Sequence, residues 1–141
     1  MKNIIIAIGM LILSIGAQAQ IIKVDSCYQF THDTSISTYE AQEKNKSVDY
    51  GWVYGSAKYE INEDQKMIVY TFFDNGVEKV QILDIIKVVK EGCAKQYFFN
   101  IDNKLSGDVI LTKDKEHKND MILSRYIVDG KMVVNMSYVN K

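Results

Sequence analysis

The chain has 141 residues, of which 25% are charged and 47% hydrophobic, and its formal net charge is −1, the proportions of one folded domain. A balance so close to neutrality offers no surplus of cations for neutralising phosphates, which excludes a nucleic-acid binder working through backbone charge. Proline is absent where average usage is about 5%, which excludes Pro-rich linkers, stalks and PxxP ligands.

At the N-terminus, Lys2 precedes an apolar run from Ile4 to Ala17, and Ala17-Gln18-Ala19 is a small-x-small cleavage pattern. This reads as a secretory signal peptide over residues 1–19, followed by a single β domain over residues 20–141 that is exported to the periplasm or secreted. The apolar run is shorter than the about 20 residues that span a hydrocarbon core, so no stable membrane insertion is expected after cleavage. Gln20, not a cysteine, stands at the cleavage point, which removes the acceptor of a bacterial lipid anchor. In an oxidising compartment the only two cysteines, Cys27 and Cys93, are expected to form a disulfide, a closure the chain-entropy model values at about 4 kcal/mol.

Before Ala57 the pattern is irregular. Cys27 to Thr31 and Val48 to Tyr54 read as strands, and Ser37-Thr38-Tyr39-Glu40 between them fits a capping box, allowing one short helix near residues 37–45. From Ala57 onward the dominant period is two, the mark of an antiparallel sheet. Tyr59 and Ile61 alternate with Lys58 and Glu60, and Met67 to Phe73 is apolar in both phases, as in a strand covered on both faces. Asp74-Asn75-Gly76 follows, and Asn-Gly takes the positive φ angles of a type I′ hairpin turn. Val77 to Lys90 is long, with apolar residues in both phases, so it either carries a bulge near Asp84 or bends across a core. Asp84, an acid inside this run, reads as a buried bulge residue whose carboxylate accepts backbone amides.

Glu91-Gly92 leads into Cys93 to Ile101, where Tyr97, Phe99 and Ile101 share a face, and Asp102 to Gly107 reads as the next turn. Val109 and Leu111 begin another alternating run, which stops in the charged stretch Lys113 to Asn119. Met121 to Val128 and Met132 to Val139 are joined by Asp129-Gly130, a second hairpin signal. In the last strand Met132, Val134, Met136 and Tyr138 form an apolar face opposite Asn135 and Ser137. The whole predicts an all-β fold: an antiparallel meander of eight or nine strands forming a small barrel or a strongly curved sheet. Met67, Val69, Phe73, Tyr97, Phe99, Val134 and Met136 are its expected core.

The chemistry-bearing residues form no recognisable constellation. His32 and His117 lie in polar segments and read as exposed loop residues, the acids stand mostly in turns, and no CxxC, HExxH or Gly-rich phosphate loop is present. Neither a catalytic residue nor a metal ligand nor a cofactor is therefore assigned. Aromatic residues concentrate at Tyr50, Trp52, Tyr54 and Tyr59, around Gly51 and Gly55. Because the expected core faces carry large side chains, a solid barrel is favoured over a hollow one. Recognition is then placed on a surface patch of Trp52, Tyr54 and Tyr59, facing a protein or glycan partner. The functional expectation is an exported, non-catalytic binding or interaction module. Its alternatives are a calyx that carries a small apolar molecule and an enzyme whose site one sequence does not reveal.

Tyr59-x-Ile61-Asn62, Ile68-x-Tyr70, Ile82-x-x-Ile85-Ile86, Asn100-Ile101-Asp102, Val109-Ile110-Leu111-Thr112 and the closing hairpin from Tyr126 to Tyr138 resemble small exported bacteroidete-type proteins of unassigned function. The resemblance covers about residues 59–138. It implies a signal peptide and a β meander, and carries over no site residue.

Overall fold

The computed structural model describes residues 19–113 and 120–140. Apart from Ala19 the expected leader lies outside the described residues, as do His117 and residues 114–119 of the charged loop. Eight strands follow in chain order: β1 (Gln20–Asp33), β2 (Val48–Asn62), β3 (Met67–Asp74), β4 (Val77–Glu91), β5 (Ala94–Ile101), β6 (Lys104–Lys113), β7 (Asp120–Val128) and β8 (Lys131–Tyr138). A single short helix, α1 (Thr38–Glu43), interrupts the β1–β2 connection. Each strand is antiparallel to the next and β8 pairs with β1, so the meander closes into a barrel. Closure removes the unpaired sheet edges that an open meander would present.

The hairpins form where positive φ is available. Asn75 and Gly76 have φ 52 and 78, and Asp129 and Gly130 have φ 50 and 76, the pair of left-handed residues that a type I′ turn requires. Asp102 and Asn103, at φ 54 and 65, form a third such turn, so β6 already starts at Lys104 and Gly107 lies inside a strand. Gly107 stands where β6 and β7 approach closely: a Cβ there would collide with the main-chain carbonyl of Arg125.

β1 begins at Gln20, and Val48 to Asn62 is one strand rather than two. Their ladder shifts register between Val24 and Ser26, where Gly55 is left unpaired on β2, and between Gln29 and Phe30, beside the partner Gly51. β4 pairs with β3 over Val77 to Asp84 and with β5 over Asp84 to Glu91, with a register shift between Ile85 and Lys87. The long strand therefore both bends and carries a bulge. Asp84 is exposed, contrary to the burial expected of it, because its neighbours Leu83 and Ile85 take the inward positions.

Inside the barrel, Ile22, Val24, Tyr59, Ile61, Ile68, Leu83, Ile85, Tyr97, Phe99, Val109 and Ile122 form one buried cluster. Tyr97 and Phe99 were expected there; on β3 the opposite phase points inward. Ile68 is fully buried whereas Met67 and Val69 are only half-buried and Phe73 is exposed. Both phases of β3 are apolar, so alternation could not select one, and the hairpin register did. On β8 the apolar face also points outward: Val134 is fully buried and Met136 half-buried, but they belong to a layer outside the barrel. α1 rests against β1 there, and Phe30 and His32 on β1, Ala41 on α1 and Val134 on β8 are buried. Ser37 caps the helix, its side chain accepting from the Glu40 N–H, as the capping box predicts.

Cys27 and Cys93 are both free thiols, which overturns the expected disulfide. Cys27 lies on β1, whose neighbours in the barrel are β2 and β8, while Cys93 is exposed in the turn between β4 and β5. Non-adjacent strands across a barrel do not bring two Cα atoms within the about 7 Å that a disulfide tolerates.

Candidate functional site

The two ends of the barrel are filled differently. Towards the end that carries the β2–β3 and β4–β5 turns, Ile22, Ile61, Ile68, Tyr97, Val109 and Ile122 pack the lumen. Towards the other end the inward positions turn small or polar, at Cys27 and Gln29 on β1, Ala57 on β2 and Asn135 on β8, above a floor where Ser124 and Ser137 stand opposite Val109 and Ile122. Side chains of this size leave space between the walls, which Ser124 bridges through its hydrogen bond with the Tyr59 phenol of β2, and a cavity of about 820 Å³ remains. The solid interior expected from the sequence is thus half correct.

One wall of the cavity is aromatic. Tyr59 on β2 stacks on Tyr70 of β3 with ring centroids 4.7 Å apart and an interplanar angle of 25°. Tyr70 in turn stacks on Phe72 at 4.8 Å and 17°. The pairings across the ladder explain the column: Tyr59 stands opposite Tyr70, while Phe72 stands opposite Ala57, so the stack ends at Phe72 for want of another ring. The wall formed by β1 and β8 is polar. Gln29 and Asn135 are directly paired, and the Gln29 Nε2 donates to Asn135 Oδ1 at 3.0 Å. The Cys27 thiol donates to the same oxygen at 3.9 Å.

Among the described residues no carboxylate and no imidazole lines this cavity, and Lys104, exposed at the β5–β6 turn, is the one charged residue there. Burial, together with the neighbouring Tyr70 phenol, holds the Tyr59 phenol well above its ordinary value, and burial also raises Tyr70. The Cys27 thiol is pushed up by burial as well, the opposite of what an activated nucleophile needs. The inner surface is therefore neutral near pH 7, with hydroxyl, amide and thiol groups offered between aromatic faces. At the mouth Val53, Phe73 and Ile127 line the opening and are exposed.

The expected surface patch is not one surface. Trp52 lies on the outer face and is 45% exposed, whereas Tyr59 points into the barrel at 3% exposed; the side chain of Tyr54 lies outside what is described. Trp52 instead meets Tyr28 edge-on at 5.5 Å and stacks on Tyr138 at 6.3 Å, joining three neighbouring strands on the outside. No family model matches the chain, and no characterised protein matches it.

A second polar assembly lies outside the barrel, under α1. Asp108 is buried and accepts from Arg125 Nε at 2.8 Å, from Arg125 Nη2, and from Gln96 Nε2 at 2.6 Å. Arg125 Nη1 donates to Thr38 Oγ1 at 2.9 Å. The same hydroxyl is 2.9 Å from His32 Nε2, and His32 Nδ1 is 2.7 Å from the Asp33 carbonyl. A carbonyl only accepts, so Nδ1 carries the ring proton and the Thr38 hydroxyl donates to Nε2. His32 was expected in an exposed loop, and Asp108 directly follows the turn expected over Asp102 to Gly107; both are buried members of this network, which fastens α1 to β1 and β7. Among the described residues no group of three His, Cys, Asp or Glu side chains is arranged to hold a metal ion.

The polar lumen did have a sequence signal. Small or polar residues recur at period two in two strands that the barrel makes adjacent, at Cys27 and Gln29 and at Asn135 and Ser137, and Ser124 joins them from the next strand. Reading each strand alone assigned its most apolar face to the core.

Proposed function

We propose that this protein is an exported calyx that binds one small molecule inside its barrel, and that it does so without catalysis. The observation that carries this reading is the half-empty lumen of about 820 Å³, within the range of ligand sites in general. An eight-stranded barrel is the size that either fills itself with side chains or encloses one small ligand; here one end does the first, leaving space for the second. The neutral phenols and thiol, with no carboxylate or imidazole among the lining residues, favour holding a ligand over transferring its protons. The resemblance to small exported β-meander proteins fits the same location.

Titration with anilinonaphthalenesulfonate, followed by its fluorescence, tests the proposal. One saturable site is expected, abolished by Ser137→Phe, which fills the floor, in a protein whose circular dichroism is unchanged. A site untouched by that filling would refute it. A second reading, recognition of a protein or glycan on the outer face, is favoured by the Tyr28, Trp52 and Tyr138 cluster; Trp52→Ala should remove binding only in that case.

A further inference from the structure

The lumen presents two recognition elements on different walls. The aromatic column Tyr59, Tyr70, Phe72 ends at a half-buried ring that stands between Ala57 on β2 and Lys79 on β4. On the β2 side the neighbour is the small Ala57 and no further ring follows, which leaves room there for one more flat layer, and offset stacking is how aromatic rings pair best. On the polar wall the bonds are directional. Asn135 Oδ1 accepts from both Gln29 and Cys27, which uses the two lone pairs of that oxygen and leaves the Nδ2 hydrogens to donate elsewhere. Gln29 has committed its Nε2 as donor, and its Oε1 remains as acceptor. A remaining donor and a remaining acceptor on two directly paired residues suit the N–H and C=O edge of a cis-amide, a lactam, an imide or a pyrimidine-type ring.

Building on the calyx reading, we infer that the ligand is a flat conjugated ring system bearing a cis-amide-type edge, uncharged or singly anionic, whose face lies on the Phe72 end of the column and whose edge pairs with Gln29 and Asn135. The absence of any carboxylate from the lining residues disfavours cations, and the single Lys104 is too little for a polyphosphate. A saturated acyl chain would fill the space but use neither the stack nor the paired amides.

Calorimetric titration of the whole protein with lumichrome, naphthalene and palmitate separates these cases. Lumichrome, flat and carrying a uracil-type edge, should bind at one site. Phe72→Leu should weaken it about three- to tenfold, the worth of one aromatic pair. Asn135→Leu should weaken it about tenfold through loss of a hydrogen bond while leaving naphthalene unaffected. Gln29→Met, which keeps the length of the side chain, gives the same readout if Asn135→Leu does not fold. Palmitate binding tighter than lumichrome and indifferent to Phe72→Leu would overturn the planar class and leave the calyx standing. Lumichrome binding indifferent to both amide variants would overturn the edge. No saturable binding of any of the three probes, or of anilinonaphthalenesulfonate, would remove the inference and the calyx together.

Discussion

Individual residues decide whether the barrel is full or hollow. Ser124, Asn135 and Ser137 are ordinary surface residue types, and their inward placement opens the lumen opposite the Tyr59 to Phe72 column. Gly107 acts in the opposite sense, since its missing side chain lets β6 and β7 close together. Gly107→Ala places a methyl against the main chain of Arg125 and Tyr126, and neither can rotate away as a long side chain would. A loss of about 1–3 kcal/mol is expected, read from the midpoint of urea unfolding; an unchanged midpoint would show that the ladder opens freely there. This role could not be read in advance, because a glycine after Asp102-Asn103 looks like part of a turn until those two residues are seen to complete the turn by themselves.

At the scale of elements, the hairpins were the most legible feature, because the chemistry of Asn75-Gly76 and Asp129-Gly130 is local and fixes register without reference to the rest of the chain. Which face of a strand enters the barrel was less so. β3 is apolar on both faces, and β8 has an apolar face that serves the outer layer under α1, so hydrophobic alternation pointed to a core but not to which of two. α1 was legible from its capping box, but not its docking, which depends on residues far apart in sequence. Thr38 joins His32 to Arg125, at 2.9 Å from each. Thr38→Val keeps the shape and removes the hydroxyl, leaving the His32 ring nitrogen buried without its donor, at a cost of about 1–3 kcal/mol. Ser37→Ala should cost about 1 kcal/mol through loss of the N-cap. Chemical denaturation measures both, and neither should alter the affinity of the lumen for anilinonaphthalenesulfonate, because this network lies on the outside. A large change in affinity would mean that α1 governs the mouth.

For the whole molecule, the meander topology followed from short connections and period-two patterning, and the closure of the barrel from β8 pairing with β1. What the sequence left open was the interior, because volume is a property of all eight strands together. The buried phenols give the barrel a defined alkaline limit. Tyr59 and Tyr70 are held above their ordinary value by burial, so between the unfolded value of about 10 and the higher folded one the native state binds more protons than the unfolded state. Their contribution is complete below pH about 10 and is lost as pH rises beyond it. Phenolate absorbance during an alkaline titration should show these two tyrosines ionising only with unfolding, and ionisation of all tyrosines before any loss of strand signal would contradict their burial.

The central claim, that recognition takes place inside the barrel, is tested most directly by amide shift mapping in solution. On saturation with anilinonaphthalenesulfonate the account predicts that the perturbed amides belong to Gln29, Tyr59, Tyr70, Phe72, Ser124 and Asn135. Perturbation confined to Tyr28, Trp52 and Tyr138 would place recognition on the outer face and contradict it.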